Sequence, residues 1–409
     1  MAPNDQQVMA PAPLAAPSAI HDTIAADARE LSAKLHAHRT KLFPPKARKN
    51  LRRFTSGEVA KLVGINDGYL RQLSLEGRGP QPDTSPSGRR SYTFEDIQSL
   101  RTYLDESGKG VRRYRPHRVA GEQLQVIGVV NFKGGSGKTT TAAHLAQHLT
   151  LQGYRVLAID LDPQASLSSL LGFQPEFDLK ANETLYGAVR YDDECRPLAK
   201  IIRKTYFDGL SIVPANLELH EFEHTTPRIL TEGRGIGKDL FFARVERALS
   251  SVERDYDVVV IDCPPQLGFL TLSALCAATS VLVTIHPQML DVASMSQFLL
   301  MTSDLLSVVR EAGGDLSFDF FRYVITRHET NDGPQAQIIG FLRSQFGDRV
   351  LTNVALKSTA ISDAGLSKQT IYEVDREGFS RSTYQRAIES LDAVNGEIES
   401  LIRKAWRRE

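Results

Sequence analysis

Val126-Ile127-Gly128-Val129-Val130-Asn131-Phe132-Lys133-Gly134-Gly135-Ser136-Gly137-Lys138-Thr139-Thr140 is the stretch that decides the fold. A short apolar run, Val126 to Val130, passes directly into a glycine-rich loop. Thr139 to Gln152 then carries a helical pattern that Gly153 ends. Strand, glycine loop and helix in that order make a phosphate site: glycines let successive backbone N–H groups turn onto anionic oxygens, and the helix N-terminus adds its dipole. The loop from Lys133 through Gly134, Gly135, Ser136, Gly137, Lys138, Thr139 and Thr140 is therefore expected to cradle ATP or ADP. Lys138 would bring positive charge to the β and γ phosphates, and the Thr139 hydroxyl would ligate Mg2+. A tight turn with accidental glycines is the competing reading, and the flanking strand and helix argue against it.

Working outward, the chain alternates short β-branched runs with longer helical patterns. The runs are Val126 to Val130, Val156 to Ile159, Leu210 to Val213, Val258 to Ile261, Val281 to Ile285 and Tyr323 to Ile325. Nearly every residue in them is apolar, as strands buried on both faces of a parallel sheet require, and each gap leaves room for a crossover helix. The expected fold is α/β, a doubly wound and mostly parallel sheet. In such a sheet the carboxyl ends of the strands border the ligand crevice. Asp160 and Asp162 follow the second run and Asp262 ends the Val258 run, so all three are expected beside the phosphates. Hydrolysis needs a group to position or deprotonate water and a shell for the metal. Asp162 is assigned to the water, and Asp160 and Asp262 to the metal through bound waters; a helix cap or surface acid is the plain alternative for each.

The loop departs from the G-x-x-x-x-G-K-[ST] pattern, with Phe132 in place of the first glycine and a second lysine, Lys133, after it. This K-G-G-x-G-K-T form resembles the deviant Walker A family of dimerising ATPases, and the resemblance implies that Lys133 reaches across a dimer to the partner's nucleotide. Asp160-Leu161-Asp162-Pro163-Gln164-Ala165-Ser166-Leu167, Val213-Pro214-Ala215-Asn216 and Tyr256-Asp257 through Cys263-Pro264-Pro265-Gln266-Leu267-Gly268 look like the ParA partition ATPases of plasmids and chromosomes. That similarity spans about Gln125 to Ile402. Two relatives fit less well. Nitrogenase iron proteins need paired cluster cysteines, and Cys263 beside Asp262 is badly placed to bridge a cluster. MinD-like ATPases end in a basic amphipathic membrane helix. Ile398, Leu401, Ile402 and Ala405 with Arg403, Lys404, Arg407 and Arg408 imitate one, but without a lipid-seeking run of bulky apolar residues a terminal helix packed on its own core is the preferred reading.

The N-terminal third differs in charge. The chain is neutral overall, yet Lys46 to Arg118 holds 16 Lys and Arg against 8 Asp and Glu, an asymmetry that suggests nucleic acid as a partner. Residues 1–50 read as a low-complexity tail followed by a helical stretch, Ile20 to Leu42, too poor in apolar residues to fold alone and available for dimerisation. Residues 51–107 read as a compact basic unit, 108–122 as a linker and 123–409 as the ATPase domain. Within the basic unit, a Thr or Ser cap, a helix with Val59, Leu62 and Val63 on one face, a Gly64 turn and a second helix from Asp67 to Leu75 have helix-turn-helix spacing. Tyr69, Arg71, Gln72 and Ser74 are expected on the outer face. Gly88-Arg89-Arg90-Ser91-Tyr92-Thr93 and the following helix resemble the wing of MerR-type regulators, and Arg89 and Arg90 at its tip suit phosphate contacts. Large ParA proteins with an N-terminal DNA-binding domain, among them the replication-and-partition proteins of plasmids, match this architecture.

The resemblance implies an ATP-dependent homodimer that binds DNA without sequence preference. It also implies a ParB-type centromere-binding partner that stimulates hydrolysis, and an operator-specific, autorepressing N-terminal domain. Arg327, Lys357 and Lys368 are candidates for the non-specific DNA contact. A nucleotide-sensing transcriptional repressor and a membrane-positioning ATPase are the rivals. Three cysteines without CxxC spacing argue against a disulfide framework or structural zinc and fit a reducing cytoplasm. No signal peptide is read at the N-terminus, and no apolar run is read as long enough to cross a bilayer, so no stable membrane association is expected.

Overall fold

A computed structural model describes residues 20–42, 49–108, 114–233, 240–314 and 316–408. The chain divides into two compact units, Met1–Arg48 and Lys49–Glu409. The first contributes one described element, helix α1 (Ile20–Leu42), whose side chains from 20 to 34 are exposed, as its few apolar residues dictate.

The second unit opens with strand β1 (Phe54–Thr55) and helices α2 (Ser56–Val63) and α3 (Asp67–Leu75). Thr55 and Glu58 form a reciprocal capping box at the start of α2, and Gly64, in the left-handed region at φ 74°, ends it. Strands β2 (Asp83–Thr84) and β3 (Arg90–Tyr92) form an antiparallel hairpin turning at Gly88, and β1 completes the three-stranded sheet. Helix α4 (Phe94–Ser107) comes next, capped by Thr93 and Asp96.

The main sheet contains β4 (Gln125–Val130), β5 (Val156–Asp160), β6 (Arg203–Lys204), β7 (Leu210–Val213), β8 (Val258–Asp262), β9 (Ser280–Ile285) and β10 (Phe320–Ile325). Their order is β10-β9-β4-β8-β5-β7-β6, parallel throughout except for β6 against β7. The apolar runs of the sequence fall inside six of these strands. Edge strand β6 is two polar residues long and has no such run. Every residue of β4, β5, β8 and β9 is buried, the reason these strands read as unbroken apolar runs instead of alternating ones. Helix α5 (Lys138–Gln152) connects β4 to β5 and is buried around most of its circumference.

The C-terminal helix, Arg381–Ala405, buries Ile398 and Ile402 completely in the core, and Trp406 beyond it donates from Nε1 to the Gln123 carbonyl at 2.8 Å. Arg408 donates to the carbonyls of Pro116 (2.9 Å) and His117 (2.8 Å), so the described part of the 108–122 stretch is tied to the chain's own C-terminus. One sequence expectation is corrected. The helix Met289–Glu311 is long and apolar enough to cross a membrane by length and composition, with 23 residues, a mean hydropathy of 1.4 in its most apolar window and 17% of that window buried. Ser, Thr and Gln spaced along it break up the apolar run that would have announced it. Met295, Phe298 and Val309 face the core while Met289, Leu290, Leu300 and Val308 stay exposed.

Candidate active site

The site is assembled at the carboxyl ends of five strands. After β4 the chain turns through residues 131–137 and enters α5 at Lys138. Gly135 and Gly137 sit at φ 76° and 87°, the left-handed region that lets consecutive N–H groups face one side. Gly137 is also crowded, since a Cβ there would lie 3.3 Å from that of Thr326, close enough that Thr326 would have to give.

The loop is braced from outside. Asn131 accepts from the Lys133 N–H at 2.8 Å and donates to the Thr284 carbonyl. Thr284, in β9, hydrogen-bonds Ser136 Oγ at 3.0 Å. Thr326, just past β10, donates to the Ser136 carbonyl at 2.7 Å, and Arg327 donates to the Gly135 carbonyl at 2.9 Å. Asn131, Thr284 and Thr326 were not anticipated. The available signal was a polar residue at or just beyond the end of an otherwise apolar strand. Arg327, expected as a DNA contact, grips the phosphate loop with its guanidinium.

Lys138 is buried and its ammonium donates to the Lys133 carbonyl at 3.2 Å. Burial lowers its pKa, while the charges of Asp262, Cys263 and Asp162 oppose that shift. The other lysine points elsewhere: Lys133 Nζ forms an ion pair with Asp291 Oδ1, in the first turn of the Met289–Glu311 helix. Asp291 is buried, and its second oxygen lies 3.4 Å from His286 Nδ1.

Asp160 and Asp262 are register partners on β5 and β8, and both are fully buried. Asp160 Oδ2 accepts from the Ser168 N–H (2.8 Å) and hydroxyl (2.7 Å), and Oδ1 accepts from the Asp162 N–H (3.2 Å). Burial nevertheless pushes the Asp160 carboxyl up to about 7. Neither oxygen of Asp262 makes a well-formed hydrogen bond; burial followed by the neighbouring Asp160 charge pushes its carboxyl well above the usual range, with the Thr139 hydroxyl and the Lys138 ammonium pulling the other way. Asp162 is half-buried, and its Oδ1 accepts from the Gln164 N–H at 2.9 Å. Beside it a cavity of about 240 Å³ opens between residues 161–164 and 264–271, with His220 and Glu223 on its wall. Among the described residues no three His, Cys, Asp or Glu side chains converge on a metal position. The polar set facing the loop is instead one orphaned carboxylate with a threonine hydroxyl nearby, which fits a hard cation completed by phosphate and water oxygens.

The basic unit presents Tyr69, Arg71 and Gln72 on the exposed face of α3, and Arg89 is exposed beside Gly88. Ser74 is corrected: it is buried, donates to the Leu70 carbonyl at 3.2 Å and meets the Tyr92 hydroxyl at 3.3 Å. Arg90 lies within β3 and is half-buried, so only Arg89 stands at the turn. Lys357 is exposed and paired with Glu329 at 2.9 Å, and Lys368 is half-buried in the left-handed region at φ 53°.

Comparison with known proteins adds four findings. Residues 124–311 match the AAA domain family. The chain is 58% identical over 378 residues to a putative replication protein A of Rhizobium rhizogenes, covering 92% of this chain and 93% of that one. It is 32% identical to the protein SopA of Escherichia coli over 88% of this chain and 92% of SopA. A solved partition protein superposes with a TM-score of 0.63 at 21% identity, covering 93% of this chain and 98% of its own, and shows the same fold.

Proposed function

This chain belongs to the ParA-, SopA- and Soj-like family of partition ATPases, and on that premise we propose that it hydrolyses MgATP as a dimer to partition a replicon. The observation that carries the reading is Asp262, a fully buried carboxylate without a well-formed hydrogen bond, set beside the Thr139 hydroxyl and the Lys138 ammonium at a glycine loop that begins a buried helix. An unpaired buried carboxylate is costly, and a divalent cation offsets that cost.

Each residue then takes a role. The backbone of Gly134 to Thr140 cradles the phosphates, and Lys138, already partly desolvated, needs only to leave the Lys133 carbonyl to reach them. Thr139 and Asp262 hold magnesium, which when bound screens charge on the β and γ phosphates. Asp160, assigned to the metal from sequence, serves it indirectly: its carboxylate fixes Ser168 and the Asp162 backbone, which sets the loop carrying Asp162. Asp162 orients the attacking water. Lys133 must leave Asp291 before it can reach a partner's nucleotide, so dimerisation costs one ion pair per subunit.

The dimer binds DNA without sequence preference, with Lys357 and Lys368 as contacts. A ParB-type centromere-binding protein stimulates turnover. The helix pair and wing bind an operator through Tyr69, Arg71, Gln72 and Arg89, and repress the chain's own operon. The protein works in the cytoplasm on the nucleoid. ATP turnover by the purified chain, measured alone and with DNA plus a ParB-type protein from the same replicon, tests the reading: stimulation is expected, and unchanged turnover contradicts a partition role.

A further inference from the structure

The most unusual buried cation of the second unit lies outside the nucleotide site. Arg101 stands on the inward stripe of α4 with Ile97, Leu100 and Leu104, and it is 1% exposed. A guanidinium so placed ordinarily needs a carboxylate. This one has carbonyls: Nη2 donates to Leu62 O at 2.8 Å and to Leu151 O at 2.7 Å, and Nη1 reaches the Gln98 amide oxygen at 3.2 Å. Burial lowers its pKa to about 10, with Glu399 the one acid opposing that shift.

The two carbonyls are not arbitrary. Leu62 is in the last turn of α2, the first helix of the helix pair, and Leu151 is in the last turn of α5, the helix that starts at the phosphate loop. Last-turn carbonyls lack helical partners and form the negative ends of helix dipoles, so a single cation satisfies both ends together. Both helices then stop at left-handed glycines, Gly64 at φ 74° and Gly153 at φ 101°. A Cβ at Gly153 would lie 3.1–3.2 Å from the Arg101 side chain, so the cation fills the space a side chain would take. Helix α5 is thus a rod of about 22 Å by its rise per residue, beginning at the glycine loop at one end and seated on Arg101 at the other.

We propose that Arg101 is a positioning residue that couples phosphate-loop occupancy to the pose of the helix pair. A shift of α5 along or about its axis moves the Leu151 carbonyl, and Arg101 passes the shift to the end of α2, which only three residues separate from α3. The inference rests on reading the helix pair as a DNA-binding module.

The test measures affinity of the full chain for the duplex immediately upstream of its own start codon, without nucleotide, with ADP and with a non-hydrolysable ATP analogue. Wild type is expected to change its affinity about fivefold or more between states, and nucleotide affinity to change by the same factor when the duplex is present, since coupling is reciprocal. Arg101→Met, which keeps volume and loses both carbonyl contacts, is expected to bring that factor close to one while leaving ATP affinity without DNA intact. Arg101→Lys, with one donor group in place of a fork, should fall between them. A wild-type factor of one, or an unchanged factor in Arg101→Met, overturns the inference. Failure of wild type to bind the duplex in every state overturns the DNA reading itself. If Arg101→Met does not fold, hydrogen exchange of the 60–65 amides in wild type decides: protection that changes on adding the ATP analogue supports the coupling, and unchanged protection overturns it.

Discussion

Asp160 and Asp262 sit opposite each other on adjacent strands, equally buried and identical in chemistry, yet one accepts three hydrogen bonds and the other makes no well-formed one, with only the Thr139 hydroxyl and the Lys138 ammonium nearby. The difference comes from the segment that leaves each strand. After β5 the chain folds back so that Ser168, in the short helix Ser166–Leu170, donates twice to Asp160, and the same hydroxyl accepts from the Ala215 N–H at 2.9 Å. After β8 the chain leaves through Cys263-Pro264-Pro265, where neither proline has an N–H to offer. One carboxylate builds the loop that carries Asp162, and the other is left for a ligand.

That contrast can be sharpened by substitution, beginning with the largest effects. Asp162→Ala is expected to lower ATP turnover about a hundredfold or more while ATP binding and dimerisation persist. Lys138→Gln should lose ATP affinity as well, by about tenfold or more in equilibrium binding. Equal loss of binding in both variants would make Asp162 structural and erase its dependence on Asp160.

Stability should separate the two carboxylates by sign. In Asp160→Asn the amide can meet either the two Ser168 donors or the Asp162 N–H as an acceptor, and denaturant unfolding should show a loss of about 1–3 kcal/mol. Asp262→Asn removes a carboxyl whose ionisation burial opposes and which makes no well-formed hydrogen bond, so the metal-free protein should gain about 1 kcal/mol in the same experiment. Two losses of equal size would break the contrast.

The smallest effect concerns the second lysine. Asp291→Asn frees Lys133 from its own subunit, and ATP-dependent dimerisation followed by analytical ultracentrifugation should tighten about fivefold for each ion pair of about 1 kcal/mol released. Weaker dimerisation would mean that Asp291 aims Lys133 instead of restraining it.

Legibility in the sequence depends on distance along the chain. The glycine loop, the strand ends bearing Asp160 and Asp262, and the capped helix pair are local patterns, and each appears where the residues place it. The braces on the loop were hidden, because Thr284, Thr326, Arg327 and Asp291 lie well over a hundred residues away and meet the loop only when β9 is laid beside β4 and β10 beside β9. Ser74 was misplaced because the helical face it occupies is closed by Tyr92 of the wing. Arg101 read as one more basic residue in a basic unit, since nothing local marks two helix ends that converge on it.

The central claim is that Asp262 receives the metal and Asp160 holds the frame. The magnesium dependence of ATP turnover tests it most directly, measured for wild type, Asp160→Asn and Asp262→Asn. The account predicts that Asp262→Asn alone moves the magnesium midpoint to higher concentration, while folded Asp160→Asn keeps the wild-type midpoint. Equal displacement in both variants, or none in Asp262→Asn, would contradict it.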